Sequence, residues 1–397
     1  MKKLSVYSIG QHGINRVKSP VHVLDGELLS AQNASVRPVQ GQLALTKRDG
    51  MTKVNAAVGG GDGGSGGVAA GGLFAIINIP FTDPGWTPLG NNWILGTSTG
   101  TNVALNDVAW SPTLEIFVAV GNNHASGSSL TSTDGLTWTQ RVINGSNIDW
   151  ENVIWAPTLD KFLAAGDPAG SDSQFAYSDD GITWTTPTAL EFTSTRAYCV
   201  GYSPDLDIAV LLPSDVGANR FFYTTDLSTF AFENQSFTKI WSEVAWSPLL
   251  GMFAAVSVTA GTDQVCTSTN GINWTLVTSN VNSTWRDIVW SETHRLFVAV
   301  ASAGTNRVMT SPDGTTWTGH DVGTLNDWQS LTELNGRFIA VASSTFPTQV
   351  MVSDDGITWT TQTDAANQDW TGVAISQSLR KAVAVSSNGS IRSMYSV

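Results

Sequence analysis

The chain has 397 residues, of which 41% are hydrophobic and only 13% are charged, and it holds 38 glycines and 16 tryptophans. This composition is typical of short β-strands joined by polar loops, so internal repeats have to be sought before domains are counted. The net charge of −13 is uneven, with +5 on residues 1–57 and −18 on the rest. An acidic body argues against binding to nucleic acid or to an anionic membrane, because both require clustered lysine and arginine.

The first residues do not read as a secretion signal. Met1 to Lys3 supply a basic start, but Ser5, Ser8 and Gln11 interrupt any apolar stretch behind it. We therefore expect synthesis in a cytoplasm without a cleaved signal. No run of apolar residues is long enough to cross a bilayer, so no membrane association is expected.

Residues 1–58 are predicted to form an extended basic arm. Their apolar runs, such as Val21–Leu24, are too few for an independent core, so we expect the arm to order only against the rest of the chain or a partner. A basic arm of this kind docks more readily on an acidic neighbouring subunit than on nucleic acid. Residues 59–72 are almost entirely glycine, alanine and serine, which predicts a flexible linker.

Several runs in this arm resemble the beginning of structural proteins of tailed bacteriophages. The runs that carry the resemblance are Leu4–Gly10, Ile14–Asn15, Lys18–His22, Asp25–Leu28, Ala31–Ala34 and Lys47–Asn55. The resemblance implies a virion protein, made in the host cytoplasm and present in the phage tail in several copies. It also implies that residues 1–58 bind other virion proteins.

One unit recurs along the rest of the chain. It consists of an apolar run such as Val108–Ser111, a second run such as Phe117–Val120, a polar loop, and the pattern Ser-x-Asp-Gly-x-Thr-Trp. The aromatic residue that ends the pattern recurs at Trp138, Trp184, Phe230, Trp274, Trp317 and Trp359, with spacings of 46, 46, 44, 43 and 42 residues. A period in the low forties with about four strands per unit indicates a blade of a β-propeller.

The fold is therefore predicted to be all-β, a propeller of about seven four-stranded blades spanning residues 73–397. The last copy begins at Trp370 and stops at Val397 before the Asp-Gly pattern, while Asp83–Thr87 looks like a worn version of the missing strand. We expect a strand near 84–90 to complete the last blade and close the ring, which removes open sheet edges. Six or eight blades would result if Phe74–Trp93 paired differently.

The Ser-x-Asp-Gly-x-Thr-Trp pattern is interpreted as a tight turn: the carboxylate accepts hydrogen bonds from turn amides, glycine supplies a positive φ, and tryptophan packs between blades. It resembles the Asp-box of sialidases, sortilin-type receptors, xyloglucanases and photosystem assembly factors, over residues 83–397. Calcium at these turns is disfavoured, since each offers about one carboxylate. The residues assigned to these turns are Asp134, Gly135, Trp138, Asp180, Gly181, Trp184, Asp226, Asn270, Gly271, Trp274, Asp313, Gly314, Trp317, Asp355, Gly356 and Trp359.

The sequence shows no recognisable catalytic motif. A sialidase would need an arginine triad, a tyrosine nucleophile and an Arg-Ile-Pro motif, none of which is recognisable here, and no pair of carboxylates stands out for another glycosidase. The histidines lack metal-ligand spacing, and Cys199 and Cys266 lie in different repeats as small buried strand residues. The prediction is that the chain is not an enzyme and has no cofactor and no metal.

A second aromatic series opens the inner strand of five repeats: Trp150, Trp241, Trp285, Trp328 and Trp370. Packing between blades is the preferred interpretation, because the spacing follows the repeat, but tryptophans at the channel mouth could also stack on sugars. The resulting hypothesis is a virion structural protein, at the tail nozzle, at the tail tip or as a decoration subunit. The alternatives are a propeller that binds a host glycan or receptor and, less favoured, a glycoside hydrolase.

Overall fold

The computed structural model describes the strands between residues 3 and 47 and, further on, residues 89–96, 104–122, 129–143, 148–168, 174–187, 197–214, 219–343, 348–363, 368–387 and 393–396. The chain divides into two compact units, Met1–Trp86 and Thr87–Val397. The described elements are all β-strands. Accordingly, the described ranges contain no helix long and apolar enough to span a membrane.

The first unit contains short antiparallel ladders, and each ladder described there has two strands. Strand β2 pairs with β3 and strand β5 pairs with β6, each as a hairpin, while β1 pairs with β4. The predicted linker 59–72 lies outside the described residues. The strands are β1 (Lys3–Leu4), β2 (Tyr7–Gly10), β3 (Gly13–Arg16), β4 (Val21–His22), β5 (Ala34–Val39) and β6 (Gln42–Lys47).

The second unit is a propeller of seven blades, which confirms the predicted fold class. Five blades are separate four-stranded sheets, and the first two share a sheet because Asp149 of β12 pairs with Asn122 of β9. In blade 2 the fourth strand is reduced to one bridge between Tyr177 and Thr185. The strands of blades 1 to 3 are β8 (Ala104–Ser111), β9 (Ile116–Asn122), β10 (Ser129–Ser132), β11 (Thr139–Arg141); β12 (Ile148–Ala156), β13 (Lys161–Pro168), β14 (Gln174–Ser178); and β15 (Ala197–Ser203), β16 (Ile208–Pro213), β17 (Arg220–Thr224), β18 (Ala231–Asn234).

The later blades follow the same antiparallel meander. The last of them takes its outer strand, β7, from ahead of the first blade. The strands of blades 4 to 7 are β19 (Trp241–Ser247), β20 (Met252–Ser257), β21 (Val265–Ser268), β22 (Thr275–Val277); β23 (Ser283–Ser291), β24 (Leu296–Gly304), β25 (Val308–Ser311), β26 (Thr318–His320); β27 (Trp328–Leu334), β28 (Arg337–Ala342), β29 (Val350–Ser353), β30 (Thr360–Gln362); and β31 (Trp370–Ser376), β32 (Lys381–Ser386), β33 (Ser393–Ser396), β7 (Trp93–Leu95).

The first and last strands of the propeller lie side by side in blade 7, next to blade 1. Strand β7 pairs antiparallel with β33, with Tyr395 opposite Ile94. The stretch Asp83–Thr87, proposed from the sequence for this outer position, lies outside the described residues. Leu105 and Val108 of blade 1 share a core cluster with Val383 and Val385 of blade 7, so the two blades pack directly against each other.

The hydrophobic core lies between neighbouring blades. The second strand of each blade carries the run Phe-Val-Ala-Val or a variant of it and is buried on both faces, as in β9. An apolar run of this kind suits a strand covered on both sides, whereas the outer strand β18 is exposed along its length. Each core cluster joins side chains of two consecutive blades. Because a meander alternates direction, the turns after the first and third strands lie on one face, here the hairpin face, and the other connections form the loop face.

Candidate functional site

The Ser-x-Asp-Gly turns on the hairpin face share one set of hydrogen bonds. In blade 1 the Gly135 amide donates to Ser132 Oγ (2.8 Å), and the amides of Leu136 and Thr137 both donate to Asp134 Oδ1 (2.7 Å). Asn270 makes the same two contacts through Oδ1, both at 2.9 Å, although it carries no charge. The glycines have φ between 71° and 74°, the left-handed region that favours glycine.

These contacts give the acidic residues of the turns a structural role. Burial raises the pKa of the Asp134 carboxyl, but the amide hydrogen bonds from Thr137 and Leu136 outweigh it and bring the pKa below its ordinary value. Such a carboxylate is ionised at neutral pH, and one of its oxygens is occupied by its own turn. Within the described part of the chain, no group of three or more His, Cys, Asp or Glu side chains could hold a metal ion.

The five tryptophans considered for sugar stacking lie in the interior. Trp150, Trp241, Trp285, Trp328 and Trp370 are all 0% exposed. Trp150 and Trp285 pack in clusters between two blades, as the packing interpretation requires. Since stacking on a sugar needs a free aromatic face, these residues form no binding face in this structure. Cys199 and Cys266 are likewise free and fully buried, as predicted.

A β-bulge follows the first residues of every inner strand. The register shifts between Leu105 and Asp107 in blade 1, and at the equivalent place in the other six blades. A bulge disrupts the ladder locally and leaves the extra residue unpaired. The residues that directly follow the bulges form a group that we name the channel ring: Asp107, Asn152, Cys199, Glu243, Asp287, Ser330 and Gly372.

In each of the seven blades, the backbone N–H of the residue after the channel-ring position donates to a side chain of the channel ring. We call this contact a cap. Some caps cross to the next blade: Val153 N donates to Asp107 Oδ2 (2.9 Å) and Val200 N donates to Asn152 Oδ1 (2.9 Å). Two more cross in the same way, from Leu331 N to Asp287 (2.6 Å) and from Val373 N to Ser330 (3.2 Å). The other three are made within one blade: Val108 to Asp107 (2.8 Å), Val244 to Glu243 (3.0 Å) and Ile288 to Asp287 (2.6 Å).

This pattern explains why three members of the ring are acids. Gly372 has no side chain to cap the amide of blade 1, and Asp107 therefore caps its own amide with one oxygen and that of blade 2 with the other. Glu243 caps its own amide in the blade after Cys199. A carboxylate offers two acceptor oxygens, so it can serve two blades where a serine serves one.

The acids of the channel ring have perturbed acidity. Burial raises the pKa of Asp107 to about 6 and that of Asp287 to about 7, against hydrogen bonds that act in the opposite direction. The pKa of Glu243 is well above its ordinary value, first through burial and then through repulsion from Asp287 and Asp107. Asn152 Nδ2 lies between two of them, donating to Asp107 Oδ2 (3.0 Å) and Glu243 Oε2 (2.9 Å). The ring can therefore hold protons near neutral pH.

On the loop face, blade 5 contributes two arginines beside an acid. Arg286 Nε donates to Ser302 Oγ (3.0 Å), and Arg307, 8% exposed, donates from Nη2 to Leu325 O (3.1 Å). Burial raises the pKa of Asp327, while the charges of Arg286 and Arg307 act to lower it. Neither this group nor the channel ring was identified from the sequence; alignment of the repeats blade by blade was the signal that could have found them.

Comparison with known proteins identifies the fold and no family. No protein-family model and no curated protein matches the chain. Among solved structures, it is similar to YCF48 bound to D1 peptide, with a TM-score of 0.56, 15% identity, and coverage of 82% of this chain and 98% of that one. It is also similar to a streptogramin B lyase, with a TM-score of 0.63, 9% identity, and coverage of 77% and 98%. These likenesses show a β-propeller.

The lyases correct the prediction that the chain is not an enzyme. A catalytically inactive virginiamycin B lyase from Staphylococcus aureus with quinupristin matches at a TM-score of 0.63 and 8% identity, covering 77% of this chain and 99% of that one. An enzyme is therefore built on the same propeller, and the absence of a recognisable motif does not exclude catalysis. The physical reason is that active-site residues are carried on connecting loops, which vary independently of the blades. Nothing in these likenesses points to a virion protein.

Proposed function

We propose that this chain is a structural subunit of a tailed-bacteriophage particle. Residues 1–58 attach it to neighbouring virion proteins, and the propeller is presented at the tail nozzle, at the tail tip or as a decoration subunit. The role concerns attachment and leaves the propeller free to carry a catalytic or binding activity of its own.

The division of the chain into two unlike units supports this proposal. The first unit has two-stranded ladders as its described structure, and a two-stranded hairpin is at best marginally stable in water. Such a segment gains stability by packing on a partner. The second unit completes its own core from blade to blade and needs no partner to bury it.

Charge supports the same arrangement. Residues 1–57 carry +5 and the rest of the chain −18, so the arm of one copy is attracted to the propeller of another or to a similarly acidic neighbour. Together with the phage-like runs of the arm, this favours repeated attachment within a particle. The five buried tryptophans offer no support for a sugar-binding role, so we propose no second function.

Deletion of residues 1–58 tests the proposal. The truncated protein should be absent from purified particles, because its attachment segment is gone, while circular dichroism and thermal unfolding show an intact propeller. A chain lacking residues 62–68 of the predicted linker serves as control and should be incorporated normally. Incorporation of the truncated protein at the level of the full chain would refute the attachment role.

A further inference from the structure

The seven blades provide an internal comparison, because each must solve the same packing problem. The residue just before the third strand is one such position. In blade 4, Gln264 Oε1 accepts from Ser283 N (3.0 Å) and its Nε2 donates to Ser283 O, which clamps blade 4 to blade 5. In blade 6, Gln349 makes the same pair of bonds to the backbone of Gln368, at 2.7 and 2.6 Å.

Blade 5 has Arg307 at this position; blades 3 and 7 also have an arginine there, Arg220 and Arg392, and Arg220 lies over Phe232. One nitrogen of Arg307, Nη2, donates to Leu325 O, but Nε and Nη1 are buried and have no hydrogen-bond partner among the described residues. The hydroxyl of Thr324, next to Leu325 in the chain, is also buried and unpartnered there. A glutamine would satisfy the clamp with two bonds and no charge, whereas Arg307 leaves two buried donors without a partner among the described residues.

A second position departs in the same blade. At the bulge, Ser242 donates to Trp285 O (2.9 Å) and Thr371 donates to Leu105 O (2.7 Å), each linking its blade to the next. Blade 5 has Arg286 at this position, and its Nε donates to Ser302 Oγ of the same blade. Blade 5 therefore carries an arginine at both of these positions, and both lie on the loop face.

The charges of this group favour a ligand with one negative charge. Arg286, Arg307 and the carboxylate of Asp327 sum to +1, while Asp321 of the same loop is exposed and accepts a hydrogen bond from Gly323 N (2.9 Å). A dianion such as phosphate would leave one charge uncompensated, whereas a single carboxylate balances the group and suits the donors of a guanidinium.

We propose that blade 5 and the loop of residues 321–327 form a binding site for a ligand that carries one carboxylate. Arg286 and Arg307 bind the carboxylate, and Asp327 accepts a hydrogen bond from a neighbouring hydroxyl or amide of the ligand. The loop shifts to admit the ligand to Arg307: its tip is thinly packed, with Leu325 67% exposed and no atom within 4 Å of a Cβ built on Gly323. The site is independent of the virion role proposed above.

Titration of the full chain with small carboxylates tests the site. N-acetylglycine and glucuronate present the carboxylate on a peptide-like and a sugar-like body, and N-acetylglycinamide and glucose are their uncharged counterparts. The readouts are the Nε–Hε signals of ¹⁵N-labelled arginine and isothermal titration. We expect saturable binding of at least one carboxylate, with shifts of two arginine signals, and at least tenfold weaker binding of its uncharged counterpart; which carboxylate binds identifies the source.

Three variants separate the site from its structural background. Arg307→Gln restores the residue of blades 4 and 6, so it should leave the unfolding midpoint unchanged or higher while weakening carboxylate binding at least tenfold. Arg286→Gln, at a partly exposed position, should weaken binding similarly. Arg220→Gln removes one positive charge from blade 3, where the guanidinium lies over Phe232, and should leave binding within twofold.

Several results would overturn the proposal. One is the absence of saturable binding by either carboxylate. Another is undiminished binding in Arg307→Gln, or a loss in Arg220→Gln as large as in the site variants. Tighter binding of inorganic phosphate than of both carboxylates would contradict the charge argument.

Discussion

Asn152 links more blades than any other side chain of the channel ring, and its removal gives a quantitative test of that network. It donates to Asp107 and Glu243 and accepts from the amide of Val200, so it joins blades 1, 2, 3 and 4 while remaining 6% exposed. The substitution Asn152→Ala removes three hydrogen bonds at once. It also leaves the Val200 amide, which is buried, without its acceptor.

The magnitude follows from these contacts. A hydrogen bond to a charged group contributes about 1.5–3 kcal/mol, and an unsatisfied buried amide costs about 1–3 kcal/mol. The bond to ionised Asp107 is taken at about 1.5–3 kcal/mol, the bond to Glu243, whose raised pKa favours the protonated form, at about 1 kcal/mol, and the Val200 amide at about 1–3 kcal/mol. We therefore expect the free energy of unfolding to fall by about 4–7 kcal/mol at pH 7.5. At pH 5 the loss should be smaller, because Asp107, whose pKa is raised to about 6, is then largely protonated and its bond to Asn152 is neutral.

Urea unfolding followed by tryptophan fluorescence measures both values. The matched control is Asn273→Ala, the same substitution at an exposed position of the blade 4 turn that contains Asn270. It should change the free energy of unfolding by less than about 0.5 kcal/mol. If Asn152→Ala costs no more than this control at either pH, the cross-blade network does not stabilise the propeller and the structural explanation of the acids fails.

Three further measurements use the same assay. In the folded protein the pKa of Asp107 is raised to about 6 and that of Asp287 to about 7, so the folded state binds more protons than the unfolded state. The free energy of unfolding should therefore fall as pH rises from 4 to 7.5, by roughly 3 kcal/mol for Asp107 alone. A flat or rising profile would contradict this. Gly356→Ala should lower the free energy of unfolding by about 1–3 kcal/mol more than Gly323→Ala. Both glycines have a positive φ, but only at Gly356 would the new Cβ lie 2.9 Å from a valine methyl. Equal losses would show that the backbone conformation alone matters. Trp285→Ala should lower the free energy of unfolding by about 3–5 kcal/mol. Trp285→Phe should lower it by less than half as much, because the indole N–H has no acceptor among the described residues. Similar losses for the two variants would assign that N–H a stabilising role.

The fold was predictable because each repeat is specified by residues that are close together in the sequence. The run Phe117–Val120 is apolar at every position, which only a strand covered on both faces requires, and β9 is buried along those residues. The turns were predictable for the same reason: in Asp134-Gly135 the side chain and the backbone conformation that make the turn are adjacent in sequence. Each of these features depends on residues a few positions apart.

The channel ring could not be predicted in this way. Its seven positions hold aspartate, asparagine, cysteine, glutamate, aspartate, serine and glycine, which show no pattern along the chain. Five of them accept a hydrogen bond from an amide, either that of the next residue in the chain or that of a residue in the next blade, 43 to 48 positions away. Whether Asp107 must cap one amide or two depends on Gly372, at the other end of the propeller sequence. The pattern of caps can therefore be recognised only when the seven blades are compared in the folded structure.

The same comparison separates two kinds of departure from the repeat. At Cys199 and Gly372 an acceptor is missing, but Glu243 and Asp107 each cap their own amide, so the loss is compensated within the ring. At Arg307 a two-bond clamp is replaced by a charge that keeps one bond, and no neighbour restores the other. A departure that the fold compensates belongs to the fold. Arg307 has no such compensation, because two of its buried nitrogens have no partner among the described residues, and this is why we propose blade 5 as the place where a ligand binds.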